Sequence, residues 1–412
     1  MADPSGIHAR KAALRLLDAV SRRGETLDQA FGAATQDVRR FEDKALARAI
    51  AGETLRWSDD LDLAIDRATK KRLPDDAKAR IVLRLMLAQL WRLGTPPHAV
   101  IATGLPLLAG GPRRLAHGVF STLAKRDDPL PGAPTLPPDV AARWGERSAA
   151  IARGLAEPPP LDLTLKDPSE TQHWQTQLAA DSFASGHLRL PRGENVEKLA
   201  GFAEGAWWVQ DFAASLPAIL LGAGEGRHVL DLCAAPGGKT LQLAAGGWDV
   251  TALDMSKRRL DLLKANLKRT GLSASPVRAD ALRWEPKHRF DAILLDAPCT
   301  ASGTARRHPD VIHRIGPRQI EEAAELQRAL LDRAATWLKP NGRLIYAVCS
   351  IEDEEGPDIV RDCALQPDPI VPAELPAGLL PTDEGWLRTD PGMMAEQGGL
   401  DGFFIARFRA PT

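Results

Sequence analysis

The sequence predicts a mixed α/β protein with a helical N-terminal region, a small α/β module and a doubly wound parallel sheet. Apolar residues recur at helical spacing through residues 1–130. A proline-rich stretch follows, and from residue 206 short apolar runs alternate with helical stretches. We therefore expect a helical domain at 1–130, a linker with a small α/β module at 131–205, and an α/β domain at 206–412.

The helical region is predicted from one clear pattern and several similar ones. Leu83, Met86, Leu87 and Leu90 follow the i, i+3, i+4, i+7 spacing of a buried helix face. Turns with glycine or proline separate the predicted helices. The other helices are predicted at 9–20, 44–56, 99–108 and 113–125.

The middle of the chain predicts a linker followed by the small module. Prolines in 127–138 prevent a continuous helix or a central strand. One helix is expected over 140–155. Residues 161–166 alternate apolar and polar side chains as a half-buried strand does, and 187–190 form a second, shorter candidate strand.

The last part of the chain predicts a parallel sheet covered by helices on both faces. Its predicted strands are short apolar runs of the kind buried in such sheets. Ligands of doubly wound folds bind at the carboxyl ends of the strands. The predicted strands are 228–232, 250–253, 275–279, 292–295, 343–348 and a late strand at 403–408, with helices at 256–269 and 319–338.

Composition excludes several classes of protein. The chain has 412 residues, 44% of them hydrophobic, and its start lacks the basic and apolar regions of a signal peptide. No apolar run approaches the roughly 18 residues that span a membrane. Four cysteines without close pairing favour a reducing compartment. We expect a cytoplasmic protein without a membrane partner and, since nothing demands a partner subunit, a monomer.

The charge is uneven along the chain although the net charge is −1. Residues 251–290 carry 10 Lys and Arg against 4 Asp and Glu, while residues 351–412 carry 4 against 13. Residues 1–130 are also basic, with 22 against 16. These basic regions indicate either a polyanion partner or merely solvated helix faces.

A glycine-rich turn predicts a cofactor site. After the predicted strand 228–232 the sequence runs Cys233-Ala234-Ala235-Pro236-Gly237-Gly238-Lys239 into a helix. Two glycines let the backbone approach a ligand at the helix start, where free N–H groups favour an anionic group. Asp254 and Asp280 follow the next two strands, where they suit ribose hydroxyls and an adenine edge.

The turn does not match two other known cofactor motifs. The spacing of a P-loop and the G-x-G-x-x-G of dinucleotide folds are both missing. A tight turn with incidental acidic residues stays an alternative. No metal site is expected.

Two cysteines frame a candidate for covalent catalysis. Cys299 ends Asp296-Ala297-Pro298-Cys299, and Cys349 follows the predicted strand 343–348. A thiolate beside a cofactor loop can act as a nucleophile. The alternative for each cysteine is a small buried hydrophobe, and that is expected for Cys363, placed in a helix outside any motif.

These motifs, in this order and spacing, resemble S-adenosylmethionine-dependent RNA cytosine-C5 methyltransferases. The stretches 231–240, 291–299 and 346–350 carry the resemblance, with Asp401-Gly402-Phe403-Phe404 near the end. The helical N-terminal region resembles the RNA-binding fold of NusB, and the combination is similar to the RsmB (Fmu/Sun) family of ribosomal RNA methyltransferases. The sequence departs from the family pattern at Val348, at Thr300-Ala301 and at Ile312-His313.

The resemblance implies a Rossmann-like methyltransferase core, an all-α NusB-like domain and S-adenosyl-L-methionine as cofactor. It implies that residues 233–239 hold the methionine and ribose part, with Asp254 at the ribose and Asp280 near the adenine. Cys349 would be the nucleophile, Cys299 the accessory cysteine, and Asp296 would lie between the cofactor and the base. The reverse assignment of the two cysteines stays open.

The expected partner is RNA, and three functions stay open. The first is methylation of cytidine carbon 5 in small-subunit ribosomal RNA. The others are the same reaction on transfer RNA and a non-catalytic RNA-binding assembly factor. Phosphate contacts are expected from the basic stretch 257–269, from Arg283, Lys287 and Arg289, and from Arg306, Arg307 and Arg314.

Two further expectations concern the site itself. Help in ionising Cys349 is expected from Arg306 or Arg307, or from nearby backbone N–H groups. Trp207 and Trp208 either stack on a base or pack into the core.

Overall fold

The computed structural model describes residues 6–126 and 130–412. The chain divides into two units: residues up to Glu157 together with Ala305–Ile315, and Pro158–Thr304 together with Gly316–Thr412. We call these the helical unit and the α/β unit. Within the described ranges, no helix is long and apolar enough to cross a membrane.

The helices and strands are named in chain order. The α-helices are α1 (Ile7–Arg23), α2 (Leu27–Ala34), α3 (Phe41–Arg56), α4 (Ser58–Arg67), α5 (Lys78–Trp91), α6 (Pro97–Gly104), α7 (Gly110–Leu123), α8 (Pro138–Trp144), α9 (Ser148–Leu155), α10 (Thr171–Leu178), α11 (Phe212–Leu221), α12 (Gly238–Ala245), α13 (Lys257–Thr270), α14 (Val311–Arg314), α15 (Pro317–Thr336) and α16 (Pro357–Val360). The strands are β1 (Leu161–Leu165), β2 (His187–Leu190), β3 (Trp207–Val209), β4 (His228–Leu232), β5 (Asp249–Asp254), β6 (Ser275–Arg278), β7 (Phe290–Asp296), β8 (Leu338–Val348), β9 (Gln366–Pro367), β10 (Leu387–Thr389) and β11 (Phe403–Arg409).

The helical unit is held together by apolar helix faces. On α5 the predicted residues Leu83, Met86 and Leu87 are fully buried, whereas Leu90, the fourth of the pattern, is only partly covered. The single helix expected over 140–155 is wrong. The chain forms α8 and α9 instead, because Gly145 adopts a left-handed φ of 55° between them.

The segment Ala305–Ile315 packs with the helical unit although it lies late in the sequence. Arg56 on α3 donates hydrogen bonds to the carbonyls of Leu155 (2.6 Å) and Arg306 (2.7 Å). His313 on α14 lies with its Nε2 2.8 Å from the carbonyl of Leu55. These bonds join α9 and α14 to α3, so both belong to the helical unit, whose first stretch ends at Glu157.

The three-part division with boundaries at 130 and 205 stays a prediction. Its linker at 127–138 falls partly on residues 127–129, which lie outside the described residues. Residues 130–137, which are described, form neither helix nor strand.

The small module is a sheet with the order β2-β1-β3. Both predicted strands are present, and β3 adds the Trp207-Trp208 pair in antiparallel register with β1. Asp162 on β1 is fully buried and pairs with Arg189 on β2, with Nε–Oδ1 and Nη2–Oδ2 distances of 2.6 and 2.7 Å. The backbone N–H of Phe212 also donates to Asp162 and ties the module to α11.

The large sheet has the order β10-β11-β8-β7-β4-β5-β6, with β9 beside β11. The pairs among β4 to β8 are parallel, and β11 runs antiparallel to β8. The strand order reverses between β4 and β7, and helices cover both faces. This is the predicted doubly wound, Rossmann-like fold, and such a reversal opens a ligand crevice at the carboxyl ends of the strands.

Candidate active site

Four neighbouring strands carry the predicted site residues to one edge of the large sheet. In spatial order β5 ends at Asp254, β4 leads into Cys233, β7 ends at Asp296 and β8 leads into Cys349. The parallel register of these strands places their carboxyl ends side by side. The structure therefore brings together residues that lie more than a hundred positions apart in sequence.

The glycine-rich turn wraps around the end of β4. Cys233 has a left-handed φ of 61° and Gly237 a φ of 113°. A Cβ at Gly237 would lie 2.2 Å from Cδ1 of Leu263, so only glycine fits there. Burial, then the negative charge of Asp296, raises the pKa of Cys233 to about 12, which keeps this thiol protonated.

Asp254 and Asp280 border one cavity beside this turn. Asp254 is buried and accepts hydrogen bonds from the backbone N–H of Ala235 (3.1 Å) and Ser256 (2.8 Å). Asp280 lies two residues beyond β6 and accepts from the N–H of Leu282 (3.0 Å). The cavity measures about 200 Å³, and both carboxyl groups line it together with apolar side chains.

Arg259 on α13 lines this cavity. Its sequence context predicts only a phosphate contact. Its guanidinium donates to the carbonyl of Ala235 and lies 3.6 Å from the Asp254 carboxylate. It therefore supports the cofactor turn from the side of α13. The sequence signal for this role is the position of Arg259 in the first turn of α13, shortly after Asp254.

Asp231 on β4 presents a buried carboxyl oxygen that has no partner among the described residues. Its Oδ2 accepts from the Thr240 hydroxyl (2.5 Å), whereas its Oδ1 makes no hydrogen bond there. Burial, opposed by the Thr240 hydrogen bond, raises the pKa of Asp231 to about 7. An acceptor of this kind next to the glycine turn can take a hydrogen bond from a bound ligand.

Together these features fit S-adenosylmethionine. The Asp231 oxygen suits the ammonium of its methionine part, and the glycine turn leaves room for its backbone-like atoms. The cavity with Asp254 and Asp280 suits a nucleoside.

Asp296 forms an ion pair at the centre of the site. The Lys239 ammonium donates to Asp296 Oδ2 at 2.8 Å and lies 5.2 Å from the centre of the Phe403 ring. Burial alone would lower the pKa of Lys239, but the Asp296 charge and hydrogen bond raise it above its ordinary value. Lys239 is therefore a buried cation that faces Asp296.

The two candidate nucleophiles are in contact. The sulfur atoms of Cys299 and Cys349 lie 3.4 Å apart, and either can donate the hydrogen bond between them. That hydrogen bond, together with burial, raises the pKa of the Cys299 thiol well above its ordinary value. Cys299 is therefore held as a thiol at neutral pH.

The backbone of three segments meets behind Cys349. Gly303 donates its N–H to the carbonyl of Cys349 (3.0 Å), and Gly402 donates to the carbonyl of Gly303 (2.8 Å). A Cβ at Gly303 would lie 2.1 Å from the carbonyl oxygen of Gly402. The Asp401-Gly402 motif therefore supports the cysteine loops through direct backbone contact.

The structure decides some of the expectations about single residues. Trp207 and Trp208 are buried, so they pack into the core rather than stack on a base. Arg306 is buried in the helical unit, which argues against a phosphate contact. The expected help of Arg306 or Arg307 to Cys349 stays a prediction. Cys363 follows α16 instead of lying in a helix, because α16 ends at Val360.

Glu355 belongs to the site although no pattern in the sequence predicts it. This side chain is fully buried and accepts hydrogen bonds from the residues that directly follow the two cysteines. Its position within the acidic run 352–355 gave no signal of burial.

Comparisons with known proteins agree with this arrangement. Residues 218–409 match the family described as 16S rRNA methyltransferase RsmB/F, and residues 7–107 match the NusB family. Ribosomal RNA small subunit methyltransferase B of Salmonella typhi is 32% identical, and the alignment covers 97% of both chains.

Two solved structures support the fold. The crystal structure of PH0851 matches with a TM-score of 0.73, at 24% identity, over 99% of each chain. A methyltransferase homologue from Pyrococcus horikoshii matches with a TM-score of 0.55 and 27% identity, over 66% of this chain and 94% of the other. The predicted fold class, family and cofactor are confirmed. The chain belongs to the RsmB/F family of ribosomal RNA methyltransferases and is an RNA methyltransferase that uses S-adenosylmethionine.

Proposed function

We propose that this protein methylates carbon 5 of a cytidine in small-subunit ribosomal RNA through a covalent bond between Cys349 and the base. The observation that carries the proposal is the pair of sulfur atoms 3.4 Å apart at the end of β8, next to the cofactor turn. Two facing thiols suit a reaction that first forms and then breaks a carbon–sulfur bond. The names of the curated relatives support ribosomal RNA as the substrate.

The cofactor would be held by the turn and by three carboxyl groups. Residues 233–239 would surround its methionine part, where the orphaned Asp231 oxygen accepts a hydrogen bond from the ammonium. Asp254 would bind the ribose hydroxyls and Asp280 the adenine edge. When bound, S-adenosylmethionine supplies a methyl group on a positively charged sulfur.

Cys349 would make carbon 5 reactive. Carbon 5 of cytosine is a poor nucleophile, but a thiolate that adds to carbon 6 breaks the ring's aromaticity and makes carbon 5 enamine-like. After methylation a water molecule acting as base takes the proton from carbon 5. The electron pair of that C–H bond forms the double bond between carbons 5 and 6 as the bond from carbon 6 to the Cys349 sulfur breaks, and the pair of the broken bond stays on that sulfur.

Cys299 would assist that release. Its sulfur lies 3.4 Å from the Cys349 sulfur, so its proton can pass directly to the Cys349 sulfur as that sulfur departs. The position of Cys349 after the later strand, which the family resemblance gives to the nucleophile, supports Cys349 as the nucleophile and Cys299 as the accessory group. The reverse assignment is decided by the variants described below.

Lys239 and Asp296 would recognise the base and stabilise its charge. Addition at carbon 6 moves negative charge toward N3 and O2 of the ring, which a nearby ammonium stabilises. The Asp296 carboxylate can accept from the amino group of cytosine but would repel the carbonyl oxygen that uracil carries at that position. The pair would therefore favour cytosine over uracil.

The test compares three cysteine variants of the purified protein on RNA. Cys349→Ala should abolish methyl transfer and leave cofactor affinity near normal, because the cofactor contacts lie elsewhere. Cys299→Ala should accumulate a covalent RNA adduct, seen as a slower band on a denaturing gel. Cys363→Ala, outside the site, should behave as wild type. An adduct with Cys349→Ala would reverse the two roles.

The RNA target is found by mass spectrometry of nucleosides from cells that lack the protein. Loss of one 5-methylcytidine from small-subunit ribosomal RNA is expected. Loss of 5-methylcytidine from transfer RNA instead would identify transfer RNA as the substrate. No loss from either RNA would favour a non-catalytic assembly factor.

A further inference from the structure

Two loops, each starting at one of the facing cysteines, are tied to the same carboxyl group. Thr300 follows Cys299 and donates from its backbone N–H to Oε2 of Glu355 (2.9 Å) and from its hydroxyl to Oε1. Ser350 follows Cys349 and donates its hydroxyl to Oε1 (2.7 Å). One side chain therefore bridges the two loops at the residues next to the sulfurs.

The bridge is buried and further braced. Glu355, Ser350 and Gln327 are fully buried. Gln327 on α15 donates from Nε2 to Glu355 Oε2 and to the carbonyl of Pro298, both at 2.9 Å. Tyr346 on β8 donates its hydroxyl to the backbone carbonyl of Glu355 (2.6 Å). The carboxyl group thus receives bonds from the Cys299 loop, the Cys349 loop and α15, which leaves it little freedom to move.

Stability alone gives no reason for this arrangement. A buried carboxyl group with its hydrogen bonds is often no more stabilising than apolar side chains of the same volume. Its particular effect is geometric, because Thr300 and Ser350 are each one peptide from a cysteine. A rigid acceptor shared by both neighbours fixes the separation of the sulfur atoms.

We propose that Glu355 is a positioning residue that holds the Cys299 thiol against the Cys349 sulfur for the release step. The proposal rests on the proposed function, in which Cys299 protonates the departing Cys349 sulfur. Glu355 itself touches neither cofactor nor base in this scheme.

The test uses Glu355→Gln with Glu374→Gln as the matched control. Gln keeps the volume but replaces one acceptor oxygen with an N–H₂ group, which cannot accept from Thr300 or Ser350. Glu374 forms its ion pair with Arg407, outside the cysteine loops (2.6 Å). Ser350→Ala removes a single donor and serves as a milder variant if Glu355→Gln does not fold.

The first measurement does not depend on catalysis. Diamide oxidises two neighbouring thiols to a disulfide while it is itself reduced to the hydrazine, and mass spectrometry of peptides follows the Cys299–Cys349 product. We expect this disulfide to form about 10-fold more slowly in Glu355→Gln and at the wild-type rate in Glu374→Gln. Alkylation of Cys363 in the same sample reports general unfolding.

The second measurement is turnover on RNA with the adduct followed on denaturing gels. We expect kcat to fall about 10- to 100-fold in Glu355→Gln, as for a displacement of about 1 Å. KM for S-adenosylmethionine should stay unchanged, and the covalent adduct should accumulate as in Cys299→Ala. Ser350→Ala should show the same pattern more weakly.

The outcomes separate the two proposals. Disulfide formation or turnover in Glu355→Gln that equals the Glu374→Gln control would overturn the positioning role. If wild-type protein forms no 5-methylcytidine on any RNA, the proposed function fails, and the disulfide rates alone then decide whether Glu355 sets the sulfur separation.

Discussion

The buried carboxyl group of Asp231 makes a quantitative prediction about the pH dependence of stability. Its pKa lies at about 7 instead of 3.8, chiefly because burial penalises the charged form. Between pH 4 and 7 the folded protein therefore holds a proton that the unfolded chain has lost, so stability falls as pH rises through this window. The full penalty, on the order of 4 kcal/mol, is present only above pH 7.

Asp231→Asn removes this penalty because an amide does not ionise. Its carbonyl oxygen can still accept from Thr240, but its buried N–H₂ group lacks an acceptor and costs about 1–3 kcal/mol at every pH. Relative to wild type, the variant should therefore gain roughly 2–3 kcal/mol between pH 5 and pH 8. For a unit of this size that corresponds to a relative rise in Tm of roughly 5–10 °C.

The measurement is thermal unfolding, followed by circular dichroism, of both proteins at pH 5 and pH 8. The readout is the change in the Tm difference between the two proteins, so groups that titrate equally in both cancel. Asp261→Asn on the exposed face of α13 is the control and should show a constant difference. A Tm difference between Asp231→Asn and wild type that is equal at both pH values would contradict the raised pKa of Asp231.

Two other predictions concern the cofactor turn and the helical unit. Gly237→Ala should weaken S-adenosylhomocysteine binding at least about 10-fold by calorimetry, since a left-handed φ costs about 1–3 kcal/mol and the new Cβ meets Leu263. Gly222 also has a positive φ, but it has open space around it, so Gly222→Ala should bind S-adenosylhomocysteine normally. Equal losses of affinity in both variants would contradict a clash with Leu263. Arg56→Ala should destabilise the helical unit by about 3–5 kcal/mol and speed proteolytic cleavage within 305–315, because it removes a buried cation and leaves two backbone carbonyls without their donor. Arg48→Ala removes an exposed ion pair and should lower the free energy of unfolding by less than about 1 kcal/mol. Equal rates of proteolysis in the two variants would argue against the anchoring role of Arg56.

Local patterns in the sequence were sufficient for the sheet and for the placement of most site residues. The predicted bounds of β2 and β4 match the structure, because apolar runs between turn residues mark buried strands locally. Cys233, Asp254, Asp296 and Cys349 each lie at or directly after the end of a strand. The topology of parallel strands alone then places them at one edge of the sheet.

Features that depend on long-range contacts were not predictable in this way. The strand β3 is three residues long and exists through its pairing with β1, some forty positions earlier. The burial of Glu355 depends on donors such as Thr300 and Gln327, which come from other segments of the sheet edge and from α15. A single glycine such as Gly145 is compatible with a continuous helix, so the break between α8 and α9 has no local signal.

The path of the chain between the two units has a practical consequence. It passes from one to the other at 157–158, 304–305 and 315–316. Removal of residues 1–157 would delete α1 to α9 but keep 305–315. The apolar side chains of Val311, Ile312 and Ile315, which are buried in the helical unit, would then lose their packing partners. Because this orphaned stretch begins six residues after Cys299, shortened versions of the protein should be insoluble or inactive even with every cofactor residue intact. Work on the isolated catalytic half should therefore replace 305–315 with a short polar linker.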